Sequence, residues 1–219
     1  MCLTKYNAWR MATRAYEQRA RAEEAERTRQ RIIEAVFTRL REAPAEPVAI
    51  DQIASMAGVA RSTVYAIFGS RAGLFDAVGR ELIERSGYAK LLEAKHEPDA
   101  RDHLRSGIRA ASEMLAANRD INRALFSMAQ LDEQAVGGGV RRREEERAAG
   151  MRRLAGRLAE QGVLRKGLSA KDAEHVLWVL TSFESFDSLY TDRGMTTARA
   201  AELLIDTAER ALYAKPYKG

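Results

Sequence analysis

The chain has 219 residues, 46% hydrophobic and 31% charged, enough for one or two domains with a real hydrophobic core. Thirty-six Lys and Arg stand against 31 Asp and Glu, a net charge of +5 that permits a polyanionic partner without requiring one. A single cysteine, Cys2, excludes an internal disulfide framework, and no apolar run of about 18 residues is present to cross a bilayer. These features fit a cytoplasmic chain with no membrane partner.

In chain order, residues 1–26 form a basic N-terminal extension with Arg10, Arg14, Arg19 and Arg21, followed by Glu23, Glu24 and Glu26. It lacks the apolar stretch of a secretory signal. It reads as a solvated tail, with an arm onto DNA phosphates or a minor groove as the functional alternative. The first ten residues differ in character from the rest, and Met11 is an alternative initiator. From Thr28, the spacing of Ile32, Ile33, Val36, Phe37 and Leu40 predicts an amphipathic helix that stops at "APAEP". A short helix from Asp51 to Ala57 follows, closed by Gly58 in the left-handed position that helix ends favour. A second short helix covers Arg61 to Phe68. "GS" then leads into a long helix over about 72–93, with Ser70 as its N-cap. Further helices are expected near 99–118, 120–134, 140–161, 170–191 and 196–214, with the glycine run Gly137 to Gly139 as a loop. No segment alternates with period two, so the fold class is all-α. The expected division is the extension, a helix-turn-helix domain at 27–74 and a larger helical domain at 75–219.

Two short helices joined at a glycine turn form a helix-turn-helix pattern, whose second helix must show one face to the major groove and another to its supports. Val64 and Phe68, four apart, can pack inward beside Val59. Arg61, Ser62, Tyr65 and Ala66 then lie on the other side. Arg61 is the residue type that most often reads guanine, while Thr63, the Tyr65 hydroxyl, Ser70 and Arg71 suit phosphate oxygens. The charge distribution agrees. Through residue 80 the chain holds 13 Lys and Arg against 9 Asp and Glu, and beyond it 23 against 22.

In "IDQIASMAGVARSTVYAIFGSRAGLFDAV", the residues Ile53-Ala54, Gly58-Val59, Thr63, Tyr65, Phe68 and Arg71 resemble the DNA-binding region of the TetR family of transcriptional regulators. The resemblance covers residues 28–80. Beyond them only length and helix count agree, and "LWVLTSFESFDSLYTDRG" is merely similar to the family's dimerising end. The chain departs from the pattern at Ala49 and Ala60, where Ser or Thr caps are usual, and at Asp51, where a basic or neutral residue is common. Asp51 is expected to complement its helix N-terminus. The resemblance implies a homodimer on a palindromic double-stranded DNA operator, most often as a ligand-responsive repressor. It also implies a small-molecule effector pocket among the helices of about 85–186. Met114, Phe126, Met151, Trp178 and Phe183 are its candidate lining.

No catalytic constellation is present, no cofactor is implied, and the separated His96, His103 and His175 lack metal-ligand spacing. "RRREEER" at 141–147 reads as a solvated face. Two rival readings remain: an all-α enzyme using the C-terminal cavity, and an interaction protein whose helix-turn-helix is vestigial.

Overall fold

The computed structural model describes residues 2–44 and 46–214, with side chains from residue 17 onward, so Cys2, Arg10 and Arg14 lie outside the described side chains. Among the described residues there are eleven α-helices, two π-turns and a single antiparallel bridge between Leu164 and Tyr213. The chain divides into two compact units, Met1–Val78 and Gly79–Gly219.

The first unit is built from α1 (Cys2–Glu42), α2 (Ile50–Met56), α3 (Arg61–Phe68) and the start of α4 (Arg71–Arg85). Its helix-forming Ala, Arg and Glu let α1 run unbroken from the extension into the domain, so residues 17–26 are helical and exposed. The five apolar positions predicted for α1 are all buried, alongside Ile53, Ala54, Val64 and Leu74. Arg39 is also buried. Its guanidinium donates to Gln52 Oε1 at 2.9 Å, to the Ala43 carbonyl at 3.1 Å and to Glu46 Oε2 at 2.6 Å. That set of bonds satisfies the buried charge and pins the loop after α1 to the first turn of α2.

The second unit contains α5 (Tyr88–Ala94), α6 (Ala100–Ala117), α7 (Arg119–Leu131), α8 (Gly138–Glu160), α9 (Ala170–Leu180), α10 (Phe183–Asp187) and α11 (Thr197–Leu212). Helix α6 packs on α5, α8 and α11, and α9 packs on α8 and α11. Helical spacing supplies the buried faces: Leu104 and Ile108 from α6, Leu154 and Leu158 from α8, Leu177 from α9, and Leu204, Ile205 and Leu212 from α11.

Three predicted elements change. The helix expected over 72–93 breaks after Arg85, where Ser86 Oγ donates to the Ile83 carbonyl and Gly87 adopts a φ of 78°. The helix expected over 170–191 breaks at Thr181, whose hydroxyl donates to the Leu177 carbonyl at 2.7 Å. Ser182 restarts it by accepting the Ser185 N–H. The glycine run is not a loop. Gly137 ends a π-turn (Glu133–Gly137) and Gly138 opens α8. A Cβ on Gly137 would lie 3.1 Å from the Ala129 carbonyl oxygen, so glycine permits the tight junction.

Candidate nucleic-acid interface

Helix α2 ends in a tight glycine turn. The Gly58 N–H bonds the Ser55 carbonyl, the Val59 N–H reaches back to Ala54, and Gly58 takes a φ of 65°. The turn delivers α3 with Val64 buried and Phe68 half-buried beneath Arg29, whose guanidinium lies 6.0 Å from the ring centroid. Inward packing of Val64 leaves Arg61, Ser62, Tyr65 and Ala66 exposed on the opposite face, with Thr63 half-buried. As expected from Ala49 and Ala60, neither α2 nor α3 has a side-chain N-cap.

Ser70 Oγ accepts the Gly73 N–H at 3.0 Å, capping α4, and keeps its own O–H as a donor. Arg71 is half-buried over the Phe75 ring, and one Nη2 hydrogen goes to the Val48 carbonyl at 3.2 Å. Its aliphatic stem and this bond hold the start of α4 against the loop before α2. Gly73 is a structural requirement that periodicity did not single out. A Cβ there would sit 2.1 Å from the Phe68 carbonyl oxygen, so α4 begins in direct backbone contact with the end of α3.

Sequence reasoning also missed the partner of Arg61. Asp51 Oδ2 accepts from Arg61 Nη1 at 2.7 Å, and the Arg61 guanidinium lies 5.6 Å from the centroid of the Tyr65 ring. The hydrogen bond to Asp51, followed by the long one from Nη2 to the Tyr65 hydroxyl, holds the Arg61 guanidinium above its ordinary range. The two residues are ten apart on different helices, a separation that leaves no periodic signal. Both are well exposed, so the pair contributes little to stability.

A groove of about 910 Å³ also runs along α1 against Met56 and Ala57. Its lining of Glu23, Glu26 and Glu34 beside Arg27 and Arg31 is mixed in charge and ill-suited to a polyanion.

In the second unit, the five candidate pocket residues fall into separate contacts. Phe126 stacks on Phe183 with centroids 5.3 Å apart, Met151 sulfur lies 3.4 Å from the Thr181 hydroxyl oxygen, and Met114 is half-buried on α6. Trp178 lies beneath Arg147, whose guanidinium is 3.6 Å from its ring centroid and bonds the Trp178 carbonyl. Arg143 is likewise drawn inward, donating to Asn122 Oδ1 at 3.1 Å, and burial pushes its guanidinium down. The "RRREEER" run is therefore only partly a solvated face. A cavity of about 10 Å³ lies between α6 and the α9–α10 break, lined by Ile108, Ala111, Ser112, Leu115, Leu180, Thr181, Ser182, Phe186 and Leu204. None of the five candidates is in that lining.

Among the described residues no group of three His, Cys, Asp or Glu could hold a metal ion, and no helix is long and apolar enough to cross a membrane.

Residues 32–78 match the family model described as bacterial regulatory proteins, tetR family. No curated protein matches the chain by sequence. Solved structures share its fold. NalD of Pseudomonas aeruginosa, described as the secondary repressor of the MexAB-OprM multidrug efflux pump, is 23% identical with a TM-score of 0.66. That likeness covers 87% of this chain and 98% of NalD. The ketosteroid transcriptional regulator KstR2 of Mycobacterium tuberculosis is 16% identical with a TM-score of 0.63, over 85% of this chain and 95% of KstR2. A TetR family transcription regulator from Marinobacter aquaeolei is 17% identical with a TM-score of 0.63, over 90% and 100%.

Proposed function

We propose that this chain, which carries the DNA-binding domain of the tetR family of bacterial regulatory proteins, is a homodimeric repressor released from a palindromic operator by a small-molecule effector. The observation that carries the reading is the α3 face. Buried Val64 anchors the helix and leaves Arg61, Ser62, Tyr65 and Ala66 exposed together. Arg61 is assigned to base reading, and Thr63, Tyr65, Ser70 and Arg71 to phosphates. The description of NalD as a repressor and of KstR2 as a transcriptional regulator supports transcriptional repression for this shared fold.

One recognition helix discriminates weakly, and two related by a two-fold axis read a palindrome. Exposed Val179 and half-buried Val176, Leu180 and Leu203 are assigned to the mating surface. The effector is assigned to the space around the cavity between α6 and the α9–α10 break. Sites for small molecules usually enclose about 300–1,000 Å³, so binding has to open that seam. The opened state favours a dimer whose recognition helices no longer match the half-site spacing.

Selection from randomised duplexes followed by gel shift tests the DNA reading. An enriched palindrome is expected, and Arg61→Ala should weaken it by about tenfold or more while affecting random DNA less. Failure of the protein to enrich any sequence would reject the reading, and equal loss on both duplexes would move Arg61 to the phosphate contacts.

A further inference from the structure

We propose that Asp51 is a positioning and specificity-determining residue, orienting Arg61 toward a base edge and keeping it off non-specific phosphates; this rests on the DNA-binding reading above. Reading guanine takes two parallel N–H groups from one edge of the guanidinium, presented to O6 and N7. Asp51 Oδ2 engages Nη1 at 2.7 Å, on the side away from the Nε–Nη2 edge. The Tyr65 hydroxyl is 3.5 Å from Nη2, at the limit for a hydrogen bond, and leaves that edge competent to donate. The Tyr65 ring supports the guanidinium from one side. Asp51 therefore engages one Nη1 donor and leaves the Nε–Nη2 edge for base reading.

The support is itself rigid. Asp51 lies in the first turn of α2, and the adjacent Gln52 accepts from buried Arg39 at 2.9 Å. The backbone that carries the carboxylate is thus part of a helix rather than a loop. Its charge has a second consequence. An unpaired arginine on an exposed recognition helix would bind any phosphate, whereas one already paired with a carboxylate gains less from a phosphate and brings a negative charge towards it. A guanine edge carries no net charge and imposes no such repulsion. The pair raises the ratio of specific to non-specific affinity.

The test uses the full-length protein, a duplex selected by the wild type, and a random duplex of equal length, each titrated across a salt series. Asp51→Asn should bind random DNA several-fold more tightly, with its log K against log salt slope steeper by about one. Its operator-to-random ratio should fall about tenfold, and Asp51→Glu should recover part of it. In an Arg61→Ala background the same substitution should leave the ratio unchanged. Thermal unfolding of each variant reports any structural effect, which an exposed pair should scarcely produce. An equal change on both duplexes, or an undiminished effect without Arg61, would overturn the proposal. If the wild type selects no duplex, the repressor reading itself fails; if it selects one and Asp51→Asn keeps the ratio, this inference alone fails.

Discussion

Gly73 and Arg71 show how closely the turn into α4 is determined by single residues. Alanine at 73 would gain helix propensity of about 1 kcal/mol, but its Cβ would lie 2.1 Å from the Phe68 carbonyl oxygen. A clash with backbone cannot be relieved by a rotamer, so overpacking wins. Gly73→Ala should destabilise the first unit by about 1–3 kcal/mol, read by urea unfolding. A neutral or stabilised variant would show that α3 and α4 do not meet this closely. Arg71 has two duties, a carbonyl bond to Val48 and the proposed phosphate contact. Arg71→Ala should lower the melting temperature and flatten the salt slope of DNA binding by about one. Loss of stability with an unchanged slope would assign Arg71 a structural role without a phosphate contact.

Among the elements, the α10 segment is held by charge as well as by packing. Buried Asp187 accepts from Arg119 at 2.9 Å, from Arg123 at 2.5 Å and from the Thr191 hydroxyl at 2.6 Å, tying α7 to the π-turn Ser188–Asp192 that follows α10. Burial raises its carboxyl, but the bonds from Thr191, Arg119 and Arg123 outweigh that and hold it below the usual carboxylate range. A depressed native value adds stability that is fully present above the unfolded value of about 3.9 and is lost as pH falls through the native one. Asp187→Asn should therefore cost about 1–3 kcal/mol at neutral pH, with the gap to wild type closing below about pH 4. A gap that persists in acid would assign the loss to packing. The same segment shows why the helix expected over 170–191 was too long: apolar periodicity continues through Thr181 and Ser182, but their hydroxyls terminate one helix and cap the next.

At the scale of the whole molecule, the proposed dimer has a smaller apolar surface to use than the hydropathy pattern suggests. Leu177, Phe183, Leu204 and Leu212 are all buried within the protomer, because α11 completes the core with α6 and α9. Deleting the end of the chain would therefore remove the protomer's own core. Val179, 60% exposed on α9, offers a cleaner probe. Val179→Glu should leave the fold intact, shift sedimentation toward monomer and weaken operator binding at least about tenfold, since a lone recognition helix holds one half-site. A variant that stays dimeric and binds as before would place the mating surface elsewhere, with 87% exposed Leu131 the next position to probe.

The sequence by itself determined the all-α class, the short helix pair, its glycine turn and the face of α3 turned away from Val64. These are local properties, written in a 3.6-residue apolar period, a residue able to take positive φ and helix caps within three positions. The five buried positions of α1 were legible for the same reason. Only the tertiary structure decided which distant residues meet. Asp51 joins Arg61, Arg39 joins Gln52, and Arg105 joins Glu209 from 104 positions away. No period links such pairs; they exist because packing brings helices together, and each charge then takes the partner within reach. The cavity between α6 and the α9–α10 break was illegible on similar grounds. Met114, Phe126, Met151, Trp178 and Phe183 are apolar residues of the right kind, but the free volume left among helices depends on interlocking side chains rather than on composition. The cavity of about 10 Å³ lies beside Ser112, Thr181 and Phe186.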